Sequence, residues 1–523
     1  MIGKLLFAVG THRRAFVLAS SWAFANAAIT AAINPLVVKL LFDQGIAAGD
    51  VRLFLGVGAG ALTLVTLLRL SDLGSQLYAR RLKNRMSADL ARRLLGAYYR
   101  LPYEQVLRDG EAYYLSRTYD EAKNTAEPTV DVTLGIARDV ALLLGGTSVV
   151  VLLSWQLTAV LGLVTLVLYV LSGRFARRIQ SQSKDEQEEE ARLRGVVASA
   201  VRAYRTARIF DLVGASLRAF DAQFERFQAR LYQRVRNAEL YGTLSGMFLG
   251  WVELLVILGG GYAVLTGNLT IGGLMGFMNA YWFAVNGLRR LLDAVPRLSQ
   301  LAASANRGAK MLAQAEEVVA RGEAAEGSLA LQGVSFAYDG REVLNSLDLR
   351  VVPGERVLIE GPNGSGKSTL ALIIAGLLGP STGSVARPQS VSALIEPVFF
   401  PPLPLRELLP PGQAEEGVSL AARLGLLEHL DRTFDSLSLG QKKKFGVLVA
   451  LLKDSDCYIL DEPLANLDPD SCQTLLELVL ERTRGKVLVM IHHGADQIRG
   501  CFDRVVHLTP PALHPATAEE PQG

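Results

Sequence analysis

Gly361-Pro362-Asn363-Gly364-Ser365-Gly366-Lys367-Ser368 has the spacing of a phosphate-binding loop, two glycines (Gly361 and Gly366) with four residues between them and Lys and Ser directly behind the second. The flanks carry the required context. Residues 356–360 form an apolar β-branched run that predicts a buried strand, and residues 369–378, from Thr369 on, predict a helix. Gly361, Gly364 and Gly366 allow successive backbone N–H groups, among them those of Asn363 and Ser365 (Pro362 has none), to converge on a phosphate. The helix N-terminus adds a favourable dipole. Lys367 is placed to bridge the β- and γ-phosphates of a nucleotide, and the Ser368 hydroxyl to ligate Mg²⁺.

Further along, Cys457-Tyr458-Ile459-Leu460-Asp461-Glu462 predicts a second buried strand, one that ends in two carboxylates. Asp461 is suited to hold Mg²⁺ through water, and Glu462 to polarise an attacking water as general base. All three cysteines (Cys457, Cys472, Cys501) fall in this half without metal-ligand spacing, which predicts reduced thiols.

The other half is of a different kind. The chain has 523 residues, 50% hydrophobic and 20% charged, with mean hydropathy +0.25. That length exceeds one ordinary domain, and the hydropathy excludes an ordinary soluble enzyme. Residues 1–327 hold 37 Lys/Arg against 27 Asp/Glu, whereas residues 328–523 hold 17 against 24. The basic half also holds the long charge-free runs, so its charge follows membrane topology, and no nucleic-acid partner is expected. Residues 16–38 make one span, residues 53–78 a second, and residues 130–173 two more divided at Ser154-Trp155-Gln156. Residues 241–288 make the last two, divided at Gly267-Asn268. Basic clusters at Arg13-Arg14, Arg80-Arg81 and Arg177-Arg178 flank the other ends of these spans, which puts both termini in the cytoplasm. No cleavage-like site precedes the first span, so no removable signal peptide is expected. Polar stretches 79–129 and 180–239 predict spans continued as helices into the cytoplasm, the acidic run 185–190 forming a solvated helix face.

Ser438-Leu439-Gly440-Gln441, between the phosphate loop and the Asp461-Glu462 strand, resembles the signature motif of ATP-binding cassette ATPases. Six spans ahead of one such cassette is similar to an ABC exporter half-transporter. The resemblance covers about residues 10–508 and implies an all-α six-helix transmembrane domain joined to an α/β P-loop NTPase domain. It divides the chain into residues 1–327, residues 328–508 and a disordered tail 509–523. It further implies a dimer, with each ATP held between one subunit's phosphate loop and the other's Ser438, Gly440 and Gln441. Tyr338 matches the aromatic that stacks on adenine, Asp468 the loop crossing the dimer interface, and His493 the switch histidine at the γ-phosphate. His492 stands beside it as a neighbour.

Two positions depart from the family pattern. Glu396 aligns with the glutamine that reaches Mg²⁺ and water; it either takes that place, adding negative charge beside the phosphates, or is a loop residue. Leu439 replaces a glycine of the signature. The short interval from Glu396 to Ser438, and the wording of residues 392–400 and 438–444, resemble exporters of cyclic peptides and siderophore precursors. The resemblance implies ATP-driven export across the inner (cytoplasmic) membrane of a small molecule or peptide, as a homodimer or with a second half-transporter. A lipid or lipid-linked glycan flippase, and a nucleotide-gated regulatory or channel-type protein, are the alternatives. Glu253, inside the fifth span, is expected either to line the translocation cavity or to pair with a basic residue of a neighbouring helix.

Overall fold

Charge-free runs with no partner for their backbone other than themselves fold as helices. The computed structural model describes residues 10–159, 162, 186, 188–190, 192–319, 328–338, 340–493 and 498–509. Its long helices are α1 (Arg13–Leu40), α2 (Val51–Tyr98), α4 (Glu121–Leu153), α5 (Val213–Leu265) and α6 (Ile271–Val319), with a short α3 (Tyr103–Asp109) between α2 and α4. The stretches Arg13–Ile46, Val51–Tyr98, Tyr113–Leu153 and Val213–Leu265 are long and apolar enough to cross a membrane. Four of the six expected spans fall on these stretches and the sixth on α6; the fourth lies almost entirely outside the described residues. Both charge-free turns are where the sequence puts them. Helix α4 stops as Ser154 turns extended, and α5 stops just ahead of Gly267 at φ 76°.

Helix α2 has 48 residues, about 70 Å at 1.5 Å per residue, more than twice the hydrocarbon thickness. Its C-terminal half is amphipathic, as a helix in water must be: Leu82, Met86, Leu90 and Leu94 are buried while Arg81, Arg85 and Arg92 are exposed. The acidic run is less solvated than expected. Glu186 pairs with Arg234 of α5, and Glu189 accepts a hydrogen bond from Gln223 of α5 at 2.7 Å. Asp185 and Gln187 of that run lie outside the described residues.

The residues divide into two compact units. Met1–Arg92 with Tyr119–Ala309 forms the first, and Arg93–Thr118 with Lys310–Gly523 the second. The expected boundary at 327 and the tail beyond 509 lie outside the described residues. In the first unit, small residues set how closely α6 approaches α1 and α4. A Cβ at Gly287 would stand 2.8 Å from the Asp139 carbonyl of α4, and one at Gly276 2.7 Å from the Pro35 carbonyl of α1. Such contact is how helices gain packing energy where lipid supplies no hydrophobic contrast.

In the second unit, β1 (Leu329–Tyr338), β2 (Arg341–Val351) and β4 (Thr382–Ala386) form an antiparallel sheet in the order β2-β1-β4. Strands β3 (Arg356–Glu360), β5 (Val391–Leu394), β6 (Cys457–Asp461), β7 (Val487–Ile491) and β8 (Arg504–His507) form a parallel sheet in the order β5-β6-β7-β3-β8. β6 and β7 are buried throughout, which explains their unbroken apolar runs. Helices α7 (Lys367–Ile374), α8 (Ala414–Arg423), α9 (Leu439–Leu452) and α10 (Pro469–Arg482) complete the unit. Tyr103 of α3 packs against the core formed by β1, β3, β7 and α7.

Helix α7 is shorter than the expected 369–378. Gly366, left-handed at φ 88°, caps its start, and Gly376 at φ 80° ends it with an N–H donated to the Ile373 carbonyl. The strand through Cys457 is likewise one residue short, because Glu462 leaves it at φ 49°.

Candidate functional site

Strand order explains why three distant segments meet. β6, β7 and β3 are neighbours in one parallel sheet, and Ile491 of β7 pairs with Ile359 of β3 on one side and Asp461 of β6 on the other. The carboxyl ends of the three strands therefore lie in one line. The phosphate loop leaves β3 there, Glu462 leaves β6, and His492 and His493 leave β7. The crevice beyond such strand ends is where open α/β sheets bind ligands.

Ser368 Oγ donates to Asp461 Oδ2 at 2.8 Å, so the first turn of α7 and the end of β6 are physically joined. Burial pushes the Asp461 carboxyl up, and the Ser368 hydrogen bond works against that. Lys367 is buried, and its ammonium donates to the carbonyls of Gly361 (2.9 Å) and Pro362 (2.8 Å). Ser365 Oγ is buried in the loop without a hydrogen-bond partner. A side chain at Gly361 would meet that oxygen at 2.8 Å and the Leu508 carbonyl at 2.4 Å, and one at Gly366 the Val343 carbonyl at 2.8 Å, so the loop backbone has no room for other residues there. A hydroxyl and a carboxylate side by side are the hard oxygen donors that Mg²⁺ takes. Among the described residues there is no cluster of three or more His, Cys, Asp or Glu that could hold a metal by itself.

His493 Nε2 lies 3.8 Å from Glu462 Oε1, both side chains about two-fifths exposed at the crevice (41% and 36%). Burial pushes the neighbouring His492 imidazole down. Glu396, after β5, pairs with Lys443 of α9 at 2.9 Å. The charge expected to stand beside the phosphates is therefore countered by a lysine.

The remaining candidates lie apart. Ser438 caps α9, accepting from the Gln441 N–H at 3.3 Å while its own N–H donates to Gln441 Oε1 at 3.0 Å. Gln441 Nε2 meets His429 Nε2 at 2.8 Å, so its side chain is occupied within its own subunit. Gly440 packs against Leu467 and the Asn466 carbonyl, which sets the signature beside the loop of Asp468. Asp468 caps α10 by accepting from the Ser471 N–H at 2.9 Å, and hydrogen bonding from the Ser471 side chain and N–H holds its carboxyl below the usual range. Tyr338 is 39% exposed and meets Phe336 edge-on at 4.8 Å. Among the described residues no hydrogen bond or ion pair joins Ser438, Gly440, Gln441, Asp468 or Tyr338 to the phosphate loop.

Two contributors escaped the sequence reading. Lys443 is hidden in Lys442-Lys443-Lys444, where only the middle residue is buried. Arg499 donates to both carboxylate oxygens of Glu360, at 3.0 and 2.7 Å, immediately before the phosphate loop. That pair holds the Glu360 carboxyl below its ordinary range.

The first unit contains a cavity of about 1180 Å³ between α1, α2, α4 and α6. Its charged lining is Arg69, Arg80, Lys83, Arg138, Arg290 and Arg297 against Asp72, Asp131, Asp139 and Asp293. Asp139 is 5% exposed, and its Oδ1 lies 3.5 Å from Arg138 Nε and 3.7 Å from Arg290 Nη1. Glu253, half-buried on α5, is not among the residues that line this cavity. Counting along α5 fixes its depth but not its facing.

Residues 19–284 match the family model described as ABC transporter transmembrane region, and residues 344–465 the one described as ABC transporter. The chain is 24% identical to an ATP-dependent lipid A-core flippase of Burkholderia pseudomallei, covering 94% of this chain and 88% of that one. It is similar to the ATP-dependent lipid A-core flippases of Ralstonia nicotianae (24% identity, 92% and 87%) and Neisseria meningitidis serogroup A (25% identity, 72% and 66%).

Proposed function

From a chain that belongs to the ABC transporter family, its transmembrane region fused to one ATPase cassette, we propose an ATP-driven flippase for a lipid or lipid-linked glycan with an anionic headgroup. It is a multi-pass membrane protein, an ATPase coupled to transport, and works as a dimer of half-transporters. The observation that carries the lipid reading is the cavity in the first unit, where six Lys/Arg, among them Arg69, Arg138, Arg290 and Arg297, outnumber four Asp. Guanidinium groups there favour phosphate or carboxylate, and the apolar walls favour acyl chains. The curated relatives named as lipid A-core flippases support it. Peptide or natural-product export rests only on the wording of residues 392–400 and 438–444, and the relatives favour the lipid reading.

In this reading both sites of a homodimer are equivalent, both termini are cytoplasmic, and the membrane is the inner one. Lys367 and the backbone N–H groups of the loop 361–369 other than Pro362 bind the phosphates, and Tyr338 receives the adenine. Ser368 and Asp461 would hold Mg²⁺, which when bound neutralises phosphate charge; Glu396, aligned with a third donor, is paired with Lys443 instead. Glu462 takes the proton of the attacking water, and His493 orients it towards the γ-phosphate. Ser438, Gly440 and Asp468 serve the site completed by the second subunit. Tyr103, anchored in the cassette core, passes cassette movement to the spans.

The test is ATP hydrolysis by the full chain in lipid nanodiscs. Stimulation by a phosphorylated glycolipid above that by a neutral lipid of the same acyl length supports the reading. Stimulation by cyclic peptides with no response to anionic lipid overturns it.

A further inference from the structure

Lys443 is an ammonium buried to 6% exposure, and a buried charge is costly unless it is paired. Its Nζ has two partners: Glu396 Oε1 at 2.9 Å and the main-chain carbonyl of Glu462 at 2.7 Å. The second contact falls on a strained residue. Glu462 is left-handed at φ 49°, a conformation that costs a non-glycine residue about 1–3 kcal/mol and persists only where its surroundings impose it. Here both ends of the residue are tethered: its N–H donates to the Ile491 carbonyl at 2.8 Å, and its carbonyl accepts from Lys443. That conformation turns the Glu462 side chain out of the sheet towards His493.

We infer that Lys443 is a positioning residue for ATP hydrolysis. It pins the Glu462 backbone so that the carboxylate points into the crevice, and it is held in place by the counter-charge of Glu396. The loop after β5, the start of α9 and the end of β6 are thereby fastened at one ammonium. The inference rests on the reading of Glu462 as the base. It also changes what Glu396 does. A glutamate there serves as the partner that makes a buried lysine tolerable: removing the carboxylate leaves a buried ammonium without its counter-charge, whereas Glu396, 43% exposed, stays solvated if the lysine is removed.

The experiment measures kcat and KM for ATP, at saturating Mg²⁺, on the full chain in nanodiscs. The proteins are wild type, Lys443→Gln, Glu396→Gln, the double variant and Glu462→Gln. Lys443→Gln is expected to lower kcat about tenfold and Glu396→Gln by less, each with KM changed less than about twofold, and the double variant to be no slower than Lys443→Gln, because Glu396 acts only through the lysine. Two independent losses of structure would multiply instead. A double variant as slow as the product of the singles, or a Lys443→Gln protein with wild-type kcat, overturns the inference. Should Lys443→Gln fail to fold, Lys443→Arg, which keeps the charge but cannot keep both distances, decides: reduced kcat at unchanged KM supports the pinning, and wild-type kcat overturns it. Glu462→Gln separates the two readings. If it hydrolyses ATP at the wild-type rate, the base assignment fails and the inference with it; if it is inactive while Lys443→Gln is not, only the inference fails.

Discussion

Ser368 Oγ donates to Asp461 Oδ2 at 2.8 Å across 93 positions of sequence, closing the phosphate loop onto the neighbouring strand end. The hydrogen bond sets two hard oxygen donors side by side and offsets part of the burial that raises the Asp461 carboxyl. Asp461→Asn keeps a hydrogen-bond acceptor for Ser368 but removes the charge. The Mg²⁺ concentration for half-maximal hydrolysis is then expected to rise about tenfold or more, the effect of losing one ion-ligand charge. An Mg²⁺ titration at fixed ATP measures it, and an unchanged midpoint would remove Asp461 from the ion site.

Lys367 and Glu462 are separable by what each loses. Lys367→Ala removes the ammonium that lies along the loop, so binding of a labelled ATP analogue is expected to weaken. Glu462→Gln is expected to bind ATP normally and to lose about 10²-fold or more in kcat, the contribution of a positioned base. Measuring binding and turnover on the same preparations checks both; an exchange of the two phenotypes would reverse the assignments.

Arg499 and Glu360 give a pH signature. The two hydrogen bonds from Arg499 hold the Glu360 carboxyl below its ordinary value of 4.5. A depressed carboxyl stabilises the fold fully above that ordinary value, and the contribution is lost as pH falls through the lower folded value. Arg499→Met is expected to cost about 1–3 kcal/mol at neutral pH, the range for hydrogen bonds to a charged group. Its deficit relative to wild type should shrink from about pH 4.5 downwards as Glu360 protonates in both unfolded chains. Thermal unfolding across that range measures it, and a deficit independent of pH would assign Arg499 a packing role only.

The cassette was legible because its chemistry is local: a loop, a strand end and a capped helix each carry their own spacing. Ser438 and Gln441 even announce their capping box, Ser followed by Gln at the third helical position. Lys443 was not legible, since three consecutive lysines look like a solvated patch until the helix phase puts one of them inward. Glu396 was read as an uncompensated charge for the same reason, its partner lying on another element. In the membrane half, charge-free runs marked five of the six expected spans and both charge-free turns among the described residues, but a run of sequence carries no facing. Asp139, passed over beside Arg138, lines the cavity of the first unit, and Glu253 does not.

Asp139 and Arg290 should act on cargo in opposite directions. Arg138 Nε and Arg290 Nη1 approach the Asp139 carboxylate to 3.5 and 3.7 Å without hydrogen-bonding it, so one carboxylate stands against two guanidinium groups at the cavity wall. Removing Arg290 as Arg290→Gln takes away a positive charge and should raise the anionic lipid concentration for half-maximal ATPase stimulation. Removing the carboxylate as Asp139→Asn leaves two guanidinium groups to the ligand and should lower it. A charge at this distance contributes about 1 kcal/mol in a partly solvated site, about fivefold in affinity for each variant. Stimulation curves with a phosphorylated glycolipid in nanodiscs of neutral lipid measure both. If both variants shift the curve the same way, the triad holds the helices together and the anion does not bind it; if neither shifts it, the headgroup lies elsewhere.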